Sequence, residues 1–325
     1  MTSVEQASPH AFGGSRLGWA DLPRAVRARI ADIAGAEVIS ETGATNGFSP
    51  GYAAVLELGD GTRVFVKAVS PEQNPDSPNL ARSEIRVAER LPDGVPAPRL
   101  LWSDDDGAWV LLGFEAVEGR SPERPWRGQD LDRVLEALVD LAEAGSPSPP
   151  GLRALSRTLS DSFAGWRRLA DAPADLERAV AAVGEHGGWM LEHLDDLVTW
   201  AEGGALAAAG DTLVHGDLRG DNVLLGPRHV WLIDWPHACG HGVAWYDLLA
   251  MLPSVAMQGG GDPHEIFWKH PNAHGADRES VRAVLAGVTS FFVHGSVQPP
   301  PQGIPNLRTF QLAQGMAALD WLRRF

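Results

Sequence analysis

The sequence contains very few cysteines and lysines among its 325 residues. Cys239 is the single cysteine, so no disulfide can form within the chain, which agrees with a reducing compartment. Of the 27 lysines and arginines, only Lys67 and Lys269 are lysines. A lysine in a chain that otherwise uses arginine indicates a position where a compact point charge is needed.

Long hydrophobic runs and positive charge are also scarce. No apolar run approaches the roughly 18 residues needed to cross a bilayer, and the N-terminus lacks the basic start and apolar core of a signal peptide. The formal net charge of -15, spread along the chain, argues against nucleic acid as a partner. We therefore expect a cytoplasmic protein with neither membrane nor nucleic acid as a partner.

The first third of the chain has the pattern of a small sheet with one helix packed on it. Strand-like runs fill residues 37–68, and the turn GDG lies between the last two of them. Helical spacing follows at 79–91, with Leu80 among the apolar positions, and then two more strand-like runs flank the turn DDDG. A further helix is expected at 21–35. We predict an N-terminal, sheet-rich lobe at 1–117.

The pattern changes to helices from about residue 127. Helices are predicted at 128–144, 155–170, 174–186, 189–208, 278–295 and 306–324. Only residues 212–234 interrupt them, with short strands around a polar loop. The predicted fold class is thus α+β, with a small antiparallel-sheet lobe followed by a larger, mostly helical lobe at 118–325.

The polar loop is the stretch TLVHGDLRGDNVLL at residues 212–225. It contains Asp217 and Asn222, and a second carboxylate, Asp234, ends the apolar run HVWLID. Carboxylate and amide oxygens are the ligands that Mg²⁺ prefers, and a further carboxylate could accept a proton from an attacking hydroxyl. The alternative is a turn in which the Asp and Asn side chains only bond their own backbone.

The motif HGDLRGDNVLL followed by WLIDW resembles the aminoglycoside phosphotransferase (APH) family, which has a protein-kinase-like bilobal fold. The resemblance implies a catalytic loop at 213–225 that contains Asp217 as the catalytic base and His215 as the residue that braces the loop. It also implies that Asn222 and Asp234 hold Mg²⁺.

Lys67 lies in the strand RVFVKAV, where a charged side chain must find a partner or a path to water. In the family that the sequence resembles, a lysine on the third strand contacts the α- and β-phosphates of the nucleotide and pairs with a glutamate on the next helix. Glu84 is the best match for that glutamate, and Glu89 is the second. The alternative is an edge-strand lysine that reaches water.

The same resemblance extends over residues 37–255 and implies further nucleotide contacts. Gly47 and Ser49, in ETGATNGFSPGY, match the loop that covers the phosphates. Glu115 and Val117 match the hinge, where the carbonyl of the first and the amide of the second would meet the adenine edge. Asp247, in GVAWYDLLAML, matches the aspartate that begins a helix and supports the catalytic loop, although an ordinary acid at a helix start would look the same.

These matches predict an enzyme that transfers the γ-phosphoryl group of ATP, or of GTP, with Mg²⁺ as the cofactor. The expected partner is a small hydroxylated acceptor, either aminoglycoside-like or another polar amine or sugar, and both a monomer and a homodimer fit the sequence. Acids of the helical lobe could contact such an acceptor. The candidates are Asp161, Glu192, Asp195, Asp196, Glu202 and Asp320.

Three rival functions compete with this prediction. A metal-dependent phosphoesterase or hydrolase could use His237, Cys239 and His241 of HACGH as ligands for zinc. A catalytically inactive nucleotide-binding module could share the same fold. A protein kinase is disfavoured, because only the segment WPHACGHGVAWY separates Asp234 from Asp247, which is too short for a platform that binds a peptide.

Overall fold

The structure, a computed structural model, describes residues 16–44 and 50–325. Ten strands are formed by these residues. In chain order, β1 to β10 are Arg16–Leu17, Val38–Gly43, Gly51–Leu58, Arg63–Val69, Leu100–Asp105, Val110–Glu115, Ala209–Val214, Val223–Leu225, Val230–Leu232 and Cys239–Gly242.

The same described ranges contain twelve α-helices. In chain order, α1 to α12 are Arg24–Ala34, Ser77–Ala88, Gly128–Ala144, Leu155–Ser162, Gly165–Asp171, Pro173–Ala182, Gly187–Glu192, Leu194–Ala207, Tyr246–Met257, Pro263–Lys269, Arg278–Ser296 and Leu307–Leu322. Strands β1 to β6 precede almost all of the helices, so the predicted α+β fold class is confirmed. We propose residue 117 as the end of the first lobe, because it lies in the connection between β6 and α3.

The N-terminal lobe is built on one sheet with the strand order β1-β3-β4-β6-β5, and β2 pairs with β3. Only β1 and β3 run parallel; the other described pairs are antiparallel. Side chains along β4 point alternately to the two faces of the sheet. Val64 and Val66 pack in the same hydrophobic cluster as α1. Phe65 and Val69 pack on the opposite face, which α2 covers. Lys67 therefore lies on the α2 face.

Helix α1 lies within the predicted range of 21–35 and ends at Gly35, whose φ of 78° suits a left-handed C-cap. The predicted apolar stripe of α2 is wrong in one position. Leu80 is exposed, and Ala81, Glu84 and Val87 form the buried side instead. The apolar spacing could not reveal this, because a buried glutamate contributes to the packed face.

The C-terminal lobe has one large hydrophobic core, which includes residues from α3 through α12. Two predicted helices are each divided in the structure. The range 155–170 becomes α4 and α5, and 189–208 becomes α7 and α8. The first break follows Phe163, whose ring packs closely on Gly287 of α11. A Cβ atom added to Gly287 would lie 2.1 Å from this ring. The chain bends because this ring must reach α11.

Helix α10 and strand β10 were not predicted. The helix nevertheless has a start signal, because the Asp262 side chain accepts hydrogen bonds from the backbone N–H groups of His264 and Glu265, and Pro263 follows it directly. Across the described part of the chain, no helix combines the length and apolar character needed to cross a membrane.

Candidate active site between the lobes

The centre of the site is an ionic cluster that joins the two lobes. Lys67 Nζ, on β4, lies 2.8 Å from both carboxylate oxygens of Glu84, on α2, and 2.7 Å from Oδ1 of Asp234, which follows β9. The predicted partner of Lys67 is thus Glu84. Glu89 is exposed and lies beside Arg90 instead. One ammonium group therefore connects the sheet, the adjacent helix and the catalytic segment of the helical lobe.

The cluster fixes the charge of its members. Burial alone lowers the pKa of Lys67, but the charges of Asp234 and Glu84 outweigh it and raise that pKa above its ordinary value. Burial raises the pKa of Glu84 despite the opposing charge of Lys67. For Asp234 the effect of burial is overcome by Lys67, which lowers the pKa to about 2. Asp234 is therefore a carboxylate at any physiological pH.

Asp234 and Asn222 are brought together by the short β8–β9 hairpin. Ile233 N–H donates to the carbonyl oxygen of Asn222 at 2.9 Å, so the residue before Asp234 is bonded directly to Asn222. The Asn222 amide group donates to the carbonyl oxygen of Asp217 at 2.8 Å, which orients its nitrogen toward the loop. We propose its oxygen as the atom that binds the metal. Asp234 has a φ of 69°, a costly conformation for a residue other than glycine and one that is typical of functional sites.

Two buried side chains, those of Asp247 and His215, hold the predicted catalytic loop in place. Asp247, at the start of α9, accepts hydrogen bonds from the backbone N–H of His215 at 2.7 Å and of Gly216 at 2.9 Å. His215 is fully buried, and its Nε2 lies 3.0 Å from the carbonyl oxygen of Ile233. Its Nδ1 accepts from Asp217 N–H at 3.3 Å. The contacts of His215 are thus with backbone atoms, and we propose that it positions Asp217.

Burial also determines the protonation of these supporting groups. It lowers the pKa of His215 to about 4, so the ring is neutral and Nε2 carries the proton that is donated to Ile233. Burial raises the pKa of Asp247 to about 6, although the two backbone N–H bonds oppose this rise. Gly216 is needed in the loop because its φ is +81°, and a Cβ would lie 2.5 Å from the carbonyl oxygen of His237.

We expect Asp247→Asn to lower kcat by roughly 10-fold to 100-fold without lowering stability at pH 7.5. The asparagine oxygen can accept only one of the two N–H bonds, so the loop loosens, but the cost of burying a charge disappears. The pKa of Asp247 is about 6 in the folded protein, against 3.8 for an ordinary aspartate. Between these two pH values the folded wild type binds more protons than the unfolded chain. Its free energy of unfolding therefore falls as the pH rises from 3.8 to about 6. The fall is about 3 kcal/mol.

Denaturant unfolding of both proteins between pH 4 and pH 7, together with kcat at pH 7.5, checks this prediction. The variant should lack the part of the pH dependence that Asp247 contributes. An unchanged kcat would show that the two N–H bonds do not support the catalytic loop.

Asp217 faces the same space as Lys67, and its surroundings are dominated by Arg219. Arg219 donates through Nη1 to Oδ1 of Asp217, and through Nε and Nη2 to the two oxygens of Asp221, at 3.0 Å and 2.9 Å. Burial raises the pKa of Asp217, while Arg219 opposes the rise. A carboxylate with a raised pKa is a better proton acceptor near neutral pH than an ordinary aspartate.

Arg219 is a site residue that sequence reasoning missed. The sequence feature that could have identified it is the motif DLRGDN, in which one arginine lies two residues from each of two aspartates. Its guanidinium also lies 5.8 Å from the centre of the Phe310 ring, on α12. The guanidinium therefore connects Asp217 to the last helix of the chain.

The structure describes only two of the four other residues predicted to contact the nucleotide. Glu115 is the last residue of β6, and its carboxylate accepts from the backbone N–H of Arg99 at 3.0 Å. Val117 lies in the connection after β6. Gly47 and Ser49 fall outside the described residues. The contacts of all four with a nucleotide remain predictions.

A cavity of about 450 Å³ opens beside the ionic cluster. It is lined by Lys67, Asp217 and Asp234, and it extends between α2, the catalytic loop and helices α4, α11 and α12. A volume of this size suits a small molecule. The cavity thus brings the cluster and Asp217 to one space that a substrate could enter.

HACGH does not form a metal site. His237 lines the cavity, and the thiol of Cys239 is buried 3.3 Å from the hydroxyl of Thr158, where burial raises its pKa and keeps it protonated. His241 is exposed. Within residues 16–44 and 50–325, no three His, Cys, Asp or Glu side chains are grouped so that they could hold a metal ion. This argues against the zinc-dependent alternative.

Comparison with known proteins agrees with this arrangement. The sequence model of the APH phosphotransferase enzyme family matches residues 45–284. An aminoglycoside 3'-phosphotransferase of Streptomyces fradiae is 30% identical over 195 residues, which are 54% of this chain and 68% of the relative.

Solved structures share the fold at lower identity. A ternary complex of aminoglycoside phosphotransferase APH(4)-Ia with ADP and hygromycin B superposes with a TM-score of 0.58 at 15% identity, covering 92% of this chain and 98% of the other. Choline kinase LicA of Streptococcus pneumoniae gives a TM-score of 0.56 at 14% identity, covering 93% and 99%. The protein-kinase-like bilobal fold is thereby confirmed, and the chain belongs to the APH family of phosphotransferase enzymes.

Proposed function

We propose that this phosphotransferase moves the γ-phosphoryl group of ATP, or of GTP, to a hydroxyl of a small molecule, with Mg²⁺ as the cofactor. The observation that carries the proposal is the cavity in which Lys67, Asp234 and Asp217 meet. A lysine held between two carboxylates, and a separate carboxylate with a raised pKa, are the groups that such a transfer needs.

Each group has a separate part in the proposed reaction. Lys67 is fixed by Glu84 and directs its positive charge at the phosphates of the nucleotide. Asp217 accepts the proton of the acceptor hydroxyl as its oxygen attacks the γ-phosphorus. The bond between that phosphorus and the bridging oxygen breaks, and ADP leaves with this oxygen and its electron pair.

The residues present suit Mg²⁺ by the chemistry of their donors. Asn222 offers an amide oxygen and Asp234 a carboxylate that stays ionised, and both are the hard oxygen ligands that Mg²⁺ takes alongside phosphate and water. When bound, Mg²⁺ would neutralise negative charge on the phosphate oxygens. Two protein ligands are the usual number where the substrate supplies the others.

The relatives support the choice of donor and of acceptor class. Solved structures of APH(4)-Ia contain ADP or AMP-PNP together with hygromycin B, which is a hydroxylated small molecule. We propose the same two classes of substrate here, and the cytoplasm, where ATP is available, as the place of the reaction. Whether the acceptor is a polar amine or sugar, as the sequence led us to expect, depends on the charges that face it.

An inactive nucleotide-binding module is the remaining rival. Such a module is expected to have lost part of the ionic cluster or the base. Here Lys67, Asp217, Asn222 and Asp234 are all present, and the hydrogen bonds of His215 and Asp247 hold the loop that carries Asp217. These buried supports fix the position of Asp217, as a reaction at its carboxylate would require.

We expect the protein to bind ATP with Mg²⁺ and to be indifferent to zinc. Titration calorimetry should show ATP binding that EDTA abolishes and that added Mg²⁺ restores, because the oxygen ligands prefer a hard cation. A zinc-selective chelator should change neither binding nor turnover. Activity that disappears with that chelator and returns with Zn²⁺ would favour the phosphoesterase instead.

A further inference from the structure

The part of the cavity that the helices contribute is mostly apolar, although Thr158 and Ser162 of α4 and two glutamines of α12 also line it. Leu159 belongs to α4 and Phe163 follows that helix, Val288 and Phe292 belong to α11, and Phe310 belongs to α12. All five are buried hydrophobic residues. A molecule that enters this part of the cavity therefore meets hydrocarbon side chains on several sides, and an apolar body gains from leaving water there.

The cavity offers no free carboxylate to a cationic acceptor. Among the described residues that line it, the acids are Glu84, Asp217 and Asp234. Each is already bound to a cation of the protein itself, either Lys67 or Arg219. An ammonium group would have to leave water and compete with these ion pairs, which is costly in a buried site.

The acids of the helical lobe that sequence reasoning considered also lie elsewhere. None of the following lines the cavity: Asp161, Glu192, Asp195, Asp196, Glu202 and Asp320. Two of them are bound to arginines of α5, Asp161 to Arg168 and Glu202 to Arg167. The negative charge of these six residues is therefore not directed to the cavity.

One polar side chain in the apolar part lacks a partner. Gln314, on α12, lines the cavity and is 2% exposed, and within the described part of the chain its amide makes no hydrogen bond. The nearby Gln311 differs, because its oxygen accepts from Arg308 at 2.8 Å. The amide of Gln314 is therefore available to a polar atom of a molecule that enters the cavity.

We infer that the acceptor is an uncharged molecule with a largely apolar body. Its reacting hydroxyl lies at Asp217, and a second polar atom bonds Gln314. This inference rests on the proposed function, since it assigns a substrate class to the acceptor half of the same site. It departs from a polycationic acceptor, because no described residue of the cavity could balance several ammonium groups.

Calorimetry with three probes in the presence of Mg²⁺ and AMP-PNP tests the inference. The probes are 1-naphthalenemethanol as an uncharged apolar alcohol, choline as a single cation and hygromycin B as a polycation. We expect the alcohol to bind most tightly, with a negative heat-capacity change and little dependence on salt. Tighter binding of choline or hygromycin B, or no binding of the alcohol at millimolar concentration, would overturn the inference.

Variants locate the binding within the cavity. Phe291 lines it and is 44% exposed, so Phe291→Ser should leave the fold intact and weaken binding of the alcohol about tenfold. Leu206→Ser removes a hydrophobic side chain that is 79% exposed and lies outside the cavity, so it should change nothing. If both variants bind the alcohol as the wild type does, the alcohol binds elsewhere and the inference fails.

Binding of AMP-PNP alone separates this inference from the proposed function. A protein that binds Mg²⁺ and AMP-PNP, but prefers the cationic probes, keeps the proposed function and loses the inferred acceptor. A protein that does not bind the nucleotide contradicts the proposed function itself, and with it the acceptor site that depends on it.

Discussion

Asp234→Asn should lower kcat by about 10³-fold or more while the protein stays folded. The variant removes the negative charge that Lys67 contacts at 2.7 Å and that a bound Mg²⁺ would require. A metal ion that neutralises charge stabilises a transition state by several kcal/mol, so its loss should slow the reaction strongly. The fold should survive because Lys67 keeps both of its bonds to Glu84. The checks are kcat with the best acceptor, ATP affinity by calorimetry, and thermal unfolding.

The two lysines of the chain provide the matched comparison. Lys67→Met should reduce turnover as Asp234→Asn does, and Lys269→Met should not, because Lys269 is exposed and pairs with Glu265 one helical turn away. Lys67→Met leaves the buried Glu84 without its cation, so the same change should also be made together with Glu84→Gln to preserve stability. Normal nucleotide consumption by Asp234→Asn or by this double variant would contradict the site assignment.

The ionic cluster could be foreseen because the strand of Lys67 and the loop motif resemble those of the APH family, and the local geometry explains the pairing. Alternation along β4 places Lys67 on one face of the sheet, and the helix that follows covers that face, so a glutamate of this helix lies within reach. The loop motif likewise contains its own turn geometry. The residues that we propose as the catalytic half of the cavity therefore come from two local segments.

The acceptor half could not be foreseen in the same way. Phe292, Phe310 and Gln314 lie in helices, and Phe163 directly follows one. Apolar spacing predicts only that such residues pack, not which space they surround. Which side chains reach a cavity depends on how α4, α11 and α12 cross, and no local pattern specifies this. The expectation of a polar amine or sugar as acceptor came from the family resemblance and not from these residues.

The contacts of Arg219 show a second limit of sequence reasoning. The letters DLRGDN indicate a turn that contains charges, but they do not tell whether the arginine faces water, one aspartate or both. In the structure it bonds Asp217 and Asp221 together. Because Asp221 is buried and forms two of these bonds, it holds the guanidinium in place, and the charge of Arg219 then opposes the rise in the pKa of Asp217.

Asp217→Asn is expected to lower the rate on the order of 10² to 10⁴-fold and to change nucleotide affinity little. An asparagine can still bond the acceptor hydroxyl, and its oxygen can still accept from Arg219, but it cannot take a proton. Lys67 and Asp234 keep their direct contact, so the nucleotide side of the cavity is unaltered. The measurements are kcat across a pH series and ATP affinity by calorimetry.

The pH series gives this prediction a second readout. In the wild type, the raised pKa of Asp217 means that activity should fall on the acid side at a higher pH than an ordinary aspartate would give, because the protonated form cannot act as a base. The residual activity of Asp217→Asn should lack this fall. Asp130→Asn is the control, since Asp130 is also buried and bound by an arginine, Arg120, but does not line the cavity.

Two results for Asp217→Asn would contradict this prediction, and each has a different meaning. If the variant loses Mg²⁺-dependent ATP binding as severely as Asp234→Asn does, Asp217 acts on the metal, and the assignment of the metal to Asn222 and Asp234 alone is wrong. If its rate is unchanged, the loop is only a turn in which Asp217 and Arg219 stabilise each other. Because the amide keeps the shape of the side chain and removes only its charge and its proton affinity, a large loss of rate with normal ATP binding assigns the proton transfer to this one carboxylate.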